Sequence, residues 1–108
     1  MIKRIKHRYL LIEASEPIDM GQRDSQAALE NALLRQLGEL KFYEANPKVA
    51  LQLSENVFVL KTNRNYDRNV VLATAFIKKL ASREMGLYTI KTSGTIRSLK
   101  ATFRSLYA

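Results

Sequence analysis

Near the C-terminus the chain reads TIKTSGTIRSLKATF, residues 89–103, where several side chains suit anion binding. Ser93, Gly94 and Thr95 make a tight turn between a strand and a helix. Glycine admits turn conformations that other residues resist, and a Ser or Thr hydroxyl caps the first helical amides. The amides at such a start carry partial positive charge and favour a phosphate. Arg97, Lys100 and Arg104 then recur along one side of the helix. Capping alone explains the turn; the basic residues beside it are what add an anion site.

Two further groups share this chemistry. Lys3, Arg4, Lys6 and Arg8 form a basic N-terminal arm over residues 1–7 and just beyond. Such an arm is useful electrostatically and carries little specificity. Arg64 and Arg68, in TNRNYDR, surround the entry to a helix, where arginine donors suit phosphates. Tyr66 between them suits a core-edge position. The single histidine, His7, has no evident partner group and reads as a surface or phosphate-contacting residue rather than a general base.

Charge supports the same direction. Eighteen Lys and Arg face ten Asp and Glu, for a formal net charge of +8. Residues 1–54 are nearly balanced, with eight basic and seven acidic side chains, whereas residues 55–108 carry ten basic and three acidic. Such asymmetry suits a polyanion-binding face.

Other chemistries find no residues. The absence of cysteine excludes disulfides, thiolate metal sites and cysteine nucleophiles. The four glycines are isolated, so no nucleotide-cradling loop occurs, and the acidic residues lack ligand spacing. No catalytic residue, bound metal or cofactor is therefore expected. No apolar run approaches the roughly 20 residues needed to span a bilayer, and Glu13 interrupts the short apolar run after the basic start. A cytoplasmic protein without a membrane partner is the expectation.

The length of 108 residues suits a single domain. Residues 8–14 alternate as a strand. Leu29, Ala32, Leu33, Leu37 and Leu40 fall at helical spacing, with Asp24 or Ser25 as N-cap and Gly38 as the stop. KVALQLS and NVFVLKTN predict a hairpin turning near Ser54, Glu55 and Asn56. A second helix is predicted over residues 66–82, capped by Asn63 or Asn65, and LYTIKT reads as the last strand. With the final helix over 95–106, the order is β-α-β-β-α-β plus a helix. This is the α+β, ferredoxin-like and RRM-like pattern of a four-stranded antiparallel sheet covered on one face.

Alternation places Leu10, Ile12, Phe58, Leu60, Tyr88 and Ile90 on the covered face. The open face then shows Tyr9, Leu11, Val57, Val59, Lys61, Leu87 and Lys91, too apolar to leave in water. Ile96, Leu99, Phe103 and Leu106 form a stripe on the last helix that can cover part of it, with the basic stripe outward. A protein partner would take the remainder, at Tyr9, Leu11, Val57, Val59 and Leu87. The third strand, NVFVLKT, lacks the glycine and paired aromatics with which RRM sheets stack bases, so backbone contacts are expected instead.

At this point three motifs resemble one family. HRYLLIE is similar to the (N)RYLL opening of archaeal ribonuclease P protein component 2, the counterpart of the eukaryotic ribonuclease P and MRP subunit Pop-five. NRNYDRNVVLATAFIKKL resembles its R-x-Y-x-x-V-x-x-A-L-x-x-I helix, and TSGTIRSLK resembles its V-S-G-T-I-(R/K) signature. His7, Thr74-Ala75 and Thr92 depart from the usual Asn, Ala-Leu and apolar residue. The resemblance implies a subunit of the ribonucleoprotein that removes the 5′ leader of precursor tRNA. It implies that the RNA catalyses with Mg²⁺, and that ribonuclease P RNA and protein component 3 are the partners. Precursor tRNA would be met indirectly, and a homodimer could sit within a heterotetramer. Two rival readings stand beside it. One is a generic ribosome-associated RNA-binding module; the other is an ACT-like regulatory domain binding a small metabolite.

Overall fold

The computed structural model describes residues 6–107. Ten elements follow in order: β1 (His7–Ala14), α1 (Arg23–Leu37), α2 (Glu39–Ala45), β2 (Lys48–Ser54), β3 (Val57–Asn63), α3 (Asp67–Ala75), β4 (Lys79–Leu80), β5 (Arg83–Glu84), β6 (Leu87–Ser93) and α4 (Ile96–Tyr107). The main sheet is antiparallel with order β2-β3-β1-β6, and β4-β5 is a separate small hairpin. This is the expected ferredoxin-like arrangement with a C-terminal helix added.

The central strands explain the layering. Leu10, Ile12, Phe58 and Leu60 face α1 and α3, where Leu29, Leu33 and Val70 meet them in the main core. Leu11, Val57 and Val59 face the other way and are equally buried, beneath Leu99 of α4. Ile96 and Phe103 extend that second core. Leu106, expected on the same stripe, is 58% exposed. Tyr107 anchors the helix end instead, stacked on Phe103 at 4.9 Å and donating to the Glu13 carboxylate. Positions three and four on from Phe103 both lie near its face; the ring stacking and the bond to Glu13 give the contact to Tyr107 and leave Leu106 outside.

Alternation misassigns β6. The β1 pairing steps from Leu11↔Lys91 to Ile12↔Thr89, which leaves Ile90 as a bulge. An extra residue reverses the phase of the strand beyond it. Leu87 therefore packs in the main core, Ile90 joins the α4 side, and Tyr88 is 59% exposed.

The helices also depart from expectation. Gly38, at φ +83, ends α1 and lets a second short helix, α2, form where a plain connection was expected. Left-handed Asn46 closes α2, and buried Thr62 donates to the Ala45 carbonyl at 2.8 Å to hold it on β3. Phe42 packs at the core edge as expected, but Tyr43 is 67% exposed. The N-caps are Gln22 for α1 and Tyr66 for α3, rather than the Asp, Ser or Asn residues predicted. Asn63 donates its side chain to the Glu44 carbonyl.

α3 stops at Ala75 rather than near residue 82. Buried Thr74 donates its hydroxyl back to the Val71 carbonyl at 2.8 Å, a local bond that competes with helix continuation. The β4–β5 hairpin follows, and Leu80 and Met85 both reach the core from it.

Two outcomes test this architecture. Leu99→Ala should cost about 2–5 kcal/mol as a cavity opens under α4, whereas Leu106→Ala should stay within about 0.5 kcal/mol, as exposed positions do; denaturant unfolding distinguishes them. Burial, reinforced by its bond to Glu13, pushes the Tyr107 hydroxyl up to about 12 from 10.0. A raised folded value means that this contribution is complete below pH 10 and is lost as the pH climbs toward 12. Alkaline unfolding should therefore be less steep in that window for Tyr107→Phe than for the native chain.

Candidate nucleic-acid interface

One end of the sheet gathers three of the basic elements. The register sets His7 opposite Asn63 and Tyr9 opposite Ser93, so the start of β1 lies between the ends of β3 and β6. The connections leaving those ends lead into α3 and α4. The Arg64 amide donates to the Lys6 carbonyl at 2.8 Å, continuing the β1–β3 pairing past the strands. Asn65, at φ 81, then turns the chain into α3. Asparagine tolerates this left-handed conformation better than most residues.

Arg8 sits in the middle of this end. Its Nε lies 3.9 Å from a carboxylate oxygen of Asp67, the first residue of α3. On its other side, the guanidinium comes within 3.6 Å of where a Cβ on Gly94 would stand. The Arg8–Asp67 pair is about one-third exposed on the arginine side, so its net worth is at most about 1 kcal/mol. Its effect is mainly positional. One shallow groove is lined by Arg8, Arg64, Asn65, Asp67 and Arg68; a neighbouring one, floored by Val71, Leu72 and Ala75, extends to Thr92. Three arginines outnumber the one carboxylate, so these grooves keep net positive charge beside two helix N-termini.

At the SGT turn, the cap is present. The Thr95 hydroxyl accepts from the Ser98 amide at 3.2 Å, and the Ser93 hydroxyl accepts from the Thr95 amide at 3.2 Å. Thr95 is thus the N-cap of α4, with Ser93 bracing the turn. Gly94 does not have the role expected for it. Among the described glycines only Gly38 has positive φ, so Gly94 is not required by backbone conformation. A Cβ there would meet the Arg8 guanidinium at 3.6 Å, an ordinary contact.

Arg97, Lys100 and Arg104 are exposed on the outer face of α4, so the basic stripe runs on from the turn. Lys91 is held against the helix by donating to the Thr102 hydroxyl at 3.1 Å. Lys6 is exposed just before β1, and Lys3 and Arg4 lie outside the described residues. His7 is half-buried rather than at the surface, with Nδ1 buried and without a hydrogen-bond partner.

The residues expected to meet a protein partner are placed differently. Leu11, Val57 and Val59 are fully buried under α4, because the helix covers the face that alternation left open. Leu87 faces the opposite core, for the reason given by the bulge, and Tyr9 is half-buried at the edge of the second core. All but Tyr9 are core, not surface. Asp67, which orients Arg8, lies outside the residues expected at the site. Its place in the first turn of a helix is the one sequence signal that could have marked it. Among the described residues no group of three or more His, Asp or Glu could hold a metal ion.

Gly94→Ala should fold with stability within about 0.5 kcal/mol of the native chain, since neither φ nor contact forbids a methyl group. Thr95→Ala should lose about 1 kcal/mol with the cap. Paired denaturant titrations measure both.

Comparison with known proteins accords with this geometry. Over 105 residues the chain is 25% identical to ribonuclease P protein component 2 of Pyrococcus furiosus, spanning 96% of this chain and 88% of that protein. It also superposes on a chain in the cryo-EM structure of yeast ribonuclease MRP with a TM-score of 0.62 at 12% identity, over 98% of this chain and 95% of that one. At that identity the likeness speaks for fold alone. The profile of the Rpp14/Pop5 family of ribonuclease P proteins matches residues 8–104, from Arg8 at the sheet end to Arg104 on α4, and the chain belongs to that family.

Proposed function

We propose that the chain is a non-catalytic protein subunit of ribonuclease P that binds and stabilises the catalytic RNA together with ribonuclease P protein component 3. The complex would remove the 5′ leader of precursor tRNA in the cytoplasm, with Mg²⁺ used by the RNA and none bound by this chain. Family membership and the relative in Pyrococcus furiosus support the assembly. The observation that carries RNA contact is the meeting of Arg8, Arg64 and Arg68 beside the capped start of α4.

The geometry favours backbone recognition. With α4 over the sheet, bases cannot stack on the central strands. What faces outward is guanidinium and ammonium groups, which suit phosphates, and phosphate contacts carry no base information. Neutralising crowded phosphates would let the RNA hold its fold at a lower Mg²⁺ concentration. Component 3 and a second copy of this chain need apolar surface other than the covered strands. Leu72 on α3, Phe76 just past its end, and Leu40 and Tyr43 on α2 are each at least 59% exposed and offer it.

Reconstitution tests the proposal. Added to ribonuclease P RNA and component 3, the chain should raise precursor cleavage at low Mg²⁺; no gain over component 3 alone would refute it. Replacing Arg97, Lys100 and Arg104 with alanine should weaken RNA binding and lower the salt slope by about two to three units, roughly one per phosphate contact.

A further inference from the structure

Positive charge also collects far from Arg8. Beyond α3 the chain enters the β4–β5 hairpin with Lys78 and Lys79 exposed. Across a groove from Lys79 stands Arg35, exposed in the last turn of α1, with Asn31 and Ser82 completing a polar rim. The ion pairs among the described residues are Arg8–Asp67 and Lys48–Glu30. Arg35, Lys78 and Lys79 therefore have no carboxylate bound to them there. Glu30, on the same helix as Arg35, is taken by Lys48, and Glu84 faces Lys79 across the hairpin without closing an ion pair.

The hairpin is held rigidly enough to present these groups. Leu80 and Met85 are buried at its two ends. Its two turn residues, Ala81 and Ser82, have φ of 51 and 64, the left-handed pair that a tight two-residue hairpin loop requires. The nine residues of α3 span about 13 Å. They separate the two basic clusters at opposite ends of the helix, so one phosphate cannot serve both.

We propose that Arg35, Lys78 and Lys79 form a second RNA-backbone site, so that one chain bridges two RNA segments. The proposal rests on the RNA-binding reading above and extends it. A chain that touches one segment adds affinity, whereas one that touches two ties the segments together. The second contact is then made at the high effective concentration set by the first.

The test counts RNA segments per chain. A short RNA duplex titrated by native mass spectrometry should load two copies on the native chain, one on Arg35→Gln/Lys78→Gln/Lys79→Gln, and one on Arg8→Gln/Arg64→Gln/Arg68→Gln. Affinity of the first variant for full-length ribonuclease P RNA should fall at least about tenfold, with the salt slope lowered by about two units. Lys78→Gln/Lys79→Gln, which leaves α1 untouched, should show the same change if the triple variant folds poorly. A native chain loading one duplex, or variants indistinguishable from it, would overturn the second site alone. A native chain with no salt-dependent RNA binding would overturn the underlying reading as well. Retention of two duplexes with loss of component 3 binding would assign the face to protein and overturn the proposal.

Discussion

β1 and β3 carry apolar side chains in both directions, with Leu10, Leu11 and Ile12 on one strand and Val57, Phe58, Val59 and Leu60 on the other, all at 1% exposure or less. Strands of this kind can lie only where the sheet is covered on both faces. α1 and α3 supply one cover, and α4 supplies the second through Leu99, Ile96 and Phe103. The rest of the molecule depends on this double burial. Without α4 the sheet would expose a contiguous apolar face of the kind soluble monomers rarely carry.

The same constraint moves the exposed charge off the sheet. A helix that spends its apolar stripe on Leu11, Val57 and Val59 must turn its basic stripe outward. Covering the strands also brings the start of α4 to the end of the sheet where α3 begins. Arg8, on β1, is thereby caught between Asp67 and the Gly94 turn. Like charges repel, so a corner holding Arg8, Arg64 and Arg68 against one carboxylate is tolerated because it stays solvated. It becomes favourable when a polyanion displaces that solvent. Packing has placed the charges.

Much of the candidate site was legible from residue types alone. The SGT turn followed by Arg97, Lys100 and Arg104 announced a capped helix with a basic side, and Thr95 does cap it. The convergence of Arg8 with Arg64 and Arg68 was not legible. It depends on β1 pairing with β3 and β6 at once, across separations of more than forty residues. Gly94 misled for another reason: glycine signals freedom of φ, but here the backbone does not use it, and a methyl group would only touch Arg8.

By itself the sequence determined the order of strands and main helices, the two-sided apolar character of the central strands, the amphipathic last helix and the basic excess. These follow from local periodicity and composition, which need no partner to be expressed. Tertiary structure decided the phase of β6, the end of α3 and the fate of the open face. The Ile90 bulge exists only in the pairing with β1, so alternation could not place Leu87. The hairpin after Ala75 wins over a longer helix because it buries Leu80 and Met85 together in the core. And Leu11, Val57 and Val59 became core rather than partner surface because α4 folds back onto them, a contact between segments distant in the chain that no local window contains.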